Sequence, residues 1–92
     1  MEQEPRLLPW SGADGKHCYL ISDDVSGPVS RLADATESIQ LGMGKELLGH
    51  ALHLLPESPP GELRFLAERL TETLRDVLRI AERRGRRLNR LN

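Results

Sequence analysis

Cysteine is nearly absent from this 92-residue chain: Cys18 stands alone, so no disulfide can form within it. Aromatic residues are as scarce, one each of Trp, Tyr and Phe, which leaves leucine, isoleucine, valine and alanine to build a core. No apolar run approaches the roughly 18 residues of a membrane-spanning helix. Met1 to Pro9 is acidic where a secretory signal is basic and apolar. These absences argue against a disulfide scaffold and a membrane protein, and give the expectation of a soluble protein in a reducing cytoplasm.

Signatures of chemistry are missing as well. Gly42-Met43-Gly44-Lys45 invites a phosphate-loop reading, but that loop needs a glycine five residues before its Gly-Lys pair and a hydroxyl after it. Ile39 and Glu46 occupy those places. His50 and His53 lie three apart on a helical pattern, with only Glu46 or Glu57 near enough to complete a metal site, and read as surface or interface histidines. His17 and Cys18 are adjacent on a strand pattern and point to opposite faces, a poor chelate. A packed thiol is the expectation for Cys18. No Ser, His or Asp spacing announces a nucleophile and its base. We expect no enzyme, no cofactor and no metal.

What the chain does have is helical periodicity. Met1 to Arg6 reads as a disordered leader, and Leu7 to Ser22 as a β-hairpin around Asp14-Gly15, a pair suited to a two-residue type I′ turn. That register sets Trp10 opposite Tyr19. Ser26 or Gly27 caps a helix over residues 28–55, with Pro28 in its first turn. Its seam is Val29, Leu32, Thr36, Ile39, Met43, Leu47, Ala51 and Leu54, widened by Leu48, Leu52 and Leu55. Gly42, Gly44 and Gly49 interrupt this helix. Gly42 and Gly49 share a face, and close approach of a crossing helix explains them, with a kink or short break as the alternative.

Pro56-Glu57-Ser58-Pro59-Pro60 ends one helix and starts the next, with Ser58 as cap. The second helix, over residues 59–85, carries the seam Leu63, Leu66, Leu70, Thr73 or Leu74, Val77 and Ala81, flanked by Phe65, Leu78 and Ile80. Gly85 ends its packed part, and residues 86–92 form a basic extension. The fold class is therefore mainly α, of α+β type: a β-hairpin followed by an antiparallel two-helix hairpin, in one dimerisation domain over residues 7–85.

A chain of this size buries only about 60 to 65% of its unfolded surface, and association with a second copy makes up the deficit. We expect two helical hairpins to form a four-helix dimer core from Leu32, Ile39, Leu47, Leu66, Leu70, Leu74 and Val77. Trp10, Tyr19, Leu48, Leu52 and Leu55 are candidates for a protein partner's surface.

Charge is divided along the chain. Met1 to Glu62 carries 10 acids against 4 bases, net −6, and Leu63 to Asn92 carries 4 acids against 9 bases, net +5. Arg75, Arg79, Arg83, Arg86 and Arg90 form a stripe on one helical face, with Arg84 and Arg87 beside it. The stripe reads as a solvated face or one that pairs with an acidic partner. Phosphates of nucleic acid are the alternative, but no aromatic residue interleaves it.

The wording of the sequence adds a resemblance. Lys16-His17-Cys18-Tyr19-Leu20, Ser30-Arg31-Leu32-Ala33-Asp34, Gln40-Leu41-Gly42-Met43-Gly44 with Glu46-Leu47-Leu48, and Glu62-Leu63-Arg64-Phe65-Leu66-Ala67 through Arg79-Ile80-Ala81-Glu82 resemble the BldB-type small regulators of streptomycetes and related actinomycetes. The likeness spans about Leu8 to Leu88, and members often carry proline where His17 stands. It implies a self-associating cytoplasmic regulator of morphological development and secondary metabolism, often encoded beside helix-turn-helix transcription regulators. The expected function is a non-enzymatic homodimer acting on a transcription regulator, with direct DNA binding by the basic C-terminal helix as the alternative.

Overall fold

The computed structural model of the protein describes residues 5–21 and 27–91, with side chains described as far as residue 88. Strands β1 (Arg6–Ser11) and β2 (His17–Leu20) form an antiparallel hairpin, followed by helix α1 (Pro28–Leu54), a 3-10 turn at Leu55–Glu57 and helix α2 (Pro60–Leu91). The expected class and order of elements are present. Arg6 belongs to β1 rather than to a leader, and α2 passes through Gly85 without a break, so no separate extension begins at residue 86. One glycine costs about 1 kcal/mol in a helix interior, less than the surrounding turns supply. Gly27 is the N-cap of α1, and Ser26 lies outside the described residues.

The hairpin departs from the two-residue turn. Gly15 alone has positive φ, at 78°, whereas a type I′ turn needs it at Asp14 also. Gly15 N–H donates to the Gly12 carbonyl at 3.0 Å and Gly12 N–H to the Lys16 carbonyl at 2.9 Å, while the Asp14 carboxylate accepts from Lys16 N–H. These bonds close a three-residue loop ending in a left-handed glycine. Leu7 consequently pairs with Tyr19, and Ser11 with His17, across an irregularity between Leu7 and Ser11. The expected Trp10–Tyr19 pair is not made. Pro9, which has no N–H for the ladder, sits in that irregular stretch. The Tyr19 ring instead stands edge-to-face with that of His17, their centroids 6.4 Å apart.

The helical hairpin closes through side chains at its proline turn. Ser58 Oγ donates to the Leu54 carbonyl at 2.5 Å, so it satisfies the end of α1 instead of capping α2. Pro59 and Pro60 have no N–H to satisfy at the start of α2, and the first helical bond runs from Leu63 N–H to the Pro59 carbonyl.

Packing of α1 keeps Leu47 and Ala51 of the expected seam inside and leaves Thr36 half-buried, but turns the rest of that seam outward. The face turned inward carries Ser30, Ala33, Glu37, Gln40, Gly44, Leu47 and Ala51, whereas Val29, Leu32, Ile39, Met43 and Leu54 are exposed. Small residues let α2 approach closely. A Cβ added to Gly44 would lie 3.3 Å from Thr73 Cγ2 and 3.9 Å from Val77 Cγ2, while one added to Gly42 or Gly49 would meet nothing within 4 Å. Gly44, not the Gly42–Gly49 pair, marks the close approach. On α2, Leu66 and Ile80 are buried, Leu63, Leu70, Thr73 and Val77 are half-buried, and Ala81 is exposed. Leu7 and Leu8 of β1 complete a small core.

Candidate interaction surface

Four exposed apolar residues of α1, Val29, Leu32, Ile39 and Met43, share one side of the helix. Leu32 is 58% and Ile39 62% exposed, with Val29 and Met43 at the helical spacing above and below them. The row runs into an open cleft of about 530 Å³ between α1 and α2, where Met43, Leu47 and Leu54 face Phe65 and Leu66. Phe65 is 66% exposed, and Glu46, His50, Glu62 and Arg69 supply the polar part of the lining. An amphipathic segment fits such a trough, its apolar side chains entering between the helices and its polar ones meeting the charged groups.

A buried charge cluster holds this surface in place. Glu37 on the inner face of α1 is only 4% exposed, and its carboxylate lies 3.5 Å from Arg6 Nη2 and 3.4 Å from Arg83 Nη1. Arg6 also pairs with Asp34 at 2.7 Å and donates to the Ser30 carbonyl at 3.1 Å. Gln40 Nε2 donates to the Pro9 carbonyl at 2.8 Å. These bonds fasten the hairpin to α1, and Arg83 fastens α2 to α1 through the same Glu37 carboxylate. Burial, followed by the nearby Arg6 charge, lowers the pKa of Arg83 below its ordinary value; Glu37 and Asp34 oppose that shift.

The arginine stripe is therefore not a uniform solvated face. Arg79 and Arg83 are mostly buried, Arg79 lying 3.9 Å from Asp76, and the Arg86 guanidinium sits 5.8 Å from the centre of the Tyr19 ring. Arg75, Arg84, Arg86 and Arg87 are exposed, and the side chain of Arg90 lies outside the described residues. The partners of the buried arginines lie within the same chain.

Of the expected dimer core, Leu66 is buried and Leu47, Leu70 and Val77 are half-buried inside one copy, whereas Leu32, Ile39 and Leu74 remain exposed. Of the expected partner surface, Leu48, Leu52, Leu55 and Tyr19 are exposed and Trp10 is half-buried. His50 and His53 are exposed, and among the described residues no three His, Cys, Asp or Glu side chains gather as a metal site. Cys18 is a free, half-buried thiol. No described helix is long and apolar enough to cross a membrane.

The chain matches no family model, no curated protein and no solved structure. Its surface is thus read from its own residues. Sequence reasoning missed Arg6, Asp34, Glu37 and Gln40 as one constellation. The available signal was the run Ser30, Glu37, Gly44 and Ala51, four small or polar residues seven apart and so on one face of α1. Their common position permits close helix packing, and the lone acid among them requires a buried cation.

Proposed function

We propose that this chain is a non-enzymatic, self-associating regulatory protein of the cytoplasm that controls development and secondary metabolism by binding a transcription regulator. The observation that carries the reading is the exposed row Val29, Leu32, Ile39 and Met43 leading into the Phe65 cleft. A row from residue 29 to 43 extends about 21 Å along the helix, enough for a partner helix to lie on. Contiguous exposed apolar surface of this kind characterises interaction sites. The resemblance to BldB-type regulators, spanning about Leu8 to Leu88, supports a helix-turn-helix regulator as the partner.

The test is binding of the full-length protein to a purified helix-turn-helix regulator, with Leu32→Glu and Met43→Glu as variants. The reading expects binding by the parent chain and at least about a hundredfold loss in each variant, with the fold kept because both positions are exposed. A parallel arm offers a random DNA duplex between about 50 and 200 mM salt. Retention of the duplex that falls steeply with salt, together with no binding of the regulator, would replace this reading with direct DNA binding through Arg75, Arg84, Arg86 and Arg87.

A further inference from the structure

The outer face of α2 carries a second apolar row, separate from the one on α1. Ala67, Thr71, Leu74, Leu78, Ala81, Gly85 and Leu88 follow each other by steps of 4, 3, 4, 3, 4 and 3. Six of the seven are exposed, Leu78 by 55%, and Gly85 is half-buried. A 3.5-residue average spacing sustained over three heptads is that of a coiled-coil seam. The seam packing against α1 is a different one, Leu66, Leu70, Thr73, Val77 and Ile80, displaced by one residue. One copy thus leaves a complete heptad seam uncovered.

We infer that the outer seam of α2 pairs antiparallel with the same seam of a second copy, in a single register. This rests on the proposed self-association and specifies its surface. In that register Thr71 faces Leu88 of the second copy, Leu78 faces Ala81, and Gly85 faces Leu74, so each layer formed between seam residues joins a large residue to a small one, with Ala67 beyond the overlap. A slip of one heptad sets Leu78 against Leu74 and Gly85 against Ala67, which overfills one layer and empties another. Two-fold symmetry repeats each favourable layer, giving a closed dimer.

Charge selects the same register. Arg75 and Glu82 flank the seam and, among the described residues, neither has an ion-pair partner within the chain; Arg64, Arg69 and Arg79 do. The antiparallel register brings Arg75 beside Glu82 of the second copy, twice per dimer. The one-heptad slip brings Arg75 against Arg75 and Glu68 against Glu82. A parallel pair would place six arginines between Asp76 and Leu91 beside the same six, with only Asp76 and Glu82 to offset them on each helix.

The surface to be covered is large enough. One copy exposes 7200 Å², whereas a compact monomer of its 10.3 kDa exposes about 5,400 Å². The radius of gyration is 16.2 Å, against about 12 Å for a compact chain of this length. The excess surpasses the ~800 Å² that each partner contributes to a standard interface.

The experiment is sedimentation equilibrium on the full-length protein and five variants, with far-ultraviolet circular dichroism to verify the fold. Leu78→Glu, at an exposed position, is expected to stay helical and to be monomeric where the parent is dimeric. Arg75→Glu and Glu82→Arg are each expected to raise the dimer dissociation constant about tenfold by turning two attractive pairs into repulsive ones. Arg75→Glu with Glu82→Arg is expected to restore parental association. A purely local effect of either charge would not be rescued in this way. A dimer that survives Leu78→Glu and is broken by Leu32→Glu would overturn the α2 seam while preserving self-association through α1. A parent chain that is monomeric at about 100 μM, where a dimer of micromolar affinity would be formed, overturns both.

Discussion

Glu37 of α1 and Arg83 of α2 meet at 3.4 Å in the interior, and Arg6 of β1 reaches the same carboxylate at 3.5 Å. One buried acid therefore joins the hairpin and both helices. Among the described residues Arg83 has no other ion-pair partner, whereas Arg6 also keeps Asp34, which is more than half exposed, at 2.7 Å.

Replacing Glu37 by leucine leaves two largely buried guanidiniums without their shared partner. Loss of about 3–5 kcal/mol of unfolding free energy is expected, measured by urea denaturation. Replacing Arg6, Glu37 and Arg83 together by methionine or leucine is expected to recover most of that loss, because the cluster then leaves no buried charge without its partner. A Glu37→Leu variant within about 1 kcal/mol of the parent would show that the cluster is solvated in solution.

Arg79 and Arg83 are both mostly buried yet differ in their partners. Arg79 has one long ion pair to Asp76, and its Nε is buried with no hydrogen-bond partner among the described residues. Arg79→Met is expected to change stability by less than about 1 kcal/mol, while Arg83→Met, which deprives Glu37 of a partner, costs about 2 kcal/mol. Thermal melts of the two variants side by side check this order.

The three glycines of α1 separate by surroundings. Gly42→Ala and Gly49→Ala add a methyl in open space and gain helix propensity, so each is expected to stabilise by about 1 kcal/mol, a rise of several degrees in Tm. At Gly44 the same methyl comes within 3.3 Å of Thr73 Cγ2, and the packing strain offsets the gain. Equal stabilisation at 42 and 44 would mean that α1 and α2 stand further apart.

Gly15 holds its turn at a φ of 78°, where a side chain is strained. Gly15→Ala is expected to cost about 1–2 kcal/mol and Gly15→Asn less, since asparagine tolerates left-handed backbone. Amide exchange at Lys16 and Gly12, whose bonds depend on the turn, reports the loss directly.

Much of the fold was legible because its signals are local. Pro28, the proline run from Pro56 to Pro60, and apolar residues repeating every three or four positions specify two helices and a tight reversal without reference to anything distant. Asp14-Gly15 located the hairpin by the same kind of local argument. Its register was not legible from that pair alone, because a two-residue loop and a three-residue loop with one left-handed glycine both accept Asp-Gly. Pro9, unable to join the ladder, was the overlooked discriminator.

The candidate site was legible only in part, since hydrophobic spacing identifies a face without saying what covers it. Leu32 and Ile39 announced an apolar row on α1. What the row could not reveal is that α2 packs on the adjacent small-residue face, where Gly44 admits Thr73 and Val77. The sequence by itself determined the elements, their order and the two apolar rows, all consequences of backbone geometry over a few residues. Only the tertiary structure decided which rows stay exposed and which arginines are withdrawn from the surface. Both outcomes depend on contacts between residues distant in the chain, Gly44 with Thr73 for the first and Glu37 with Arg83, 46 positions apart, for the second, and no local periodicity encodes the partner of a buried charge.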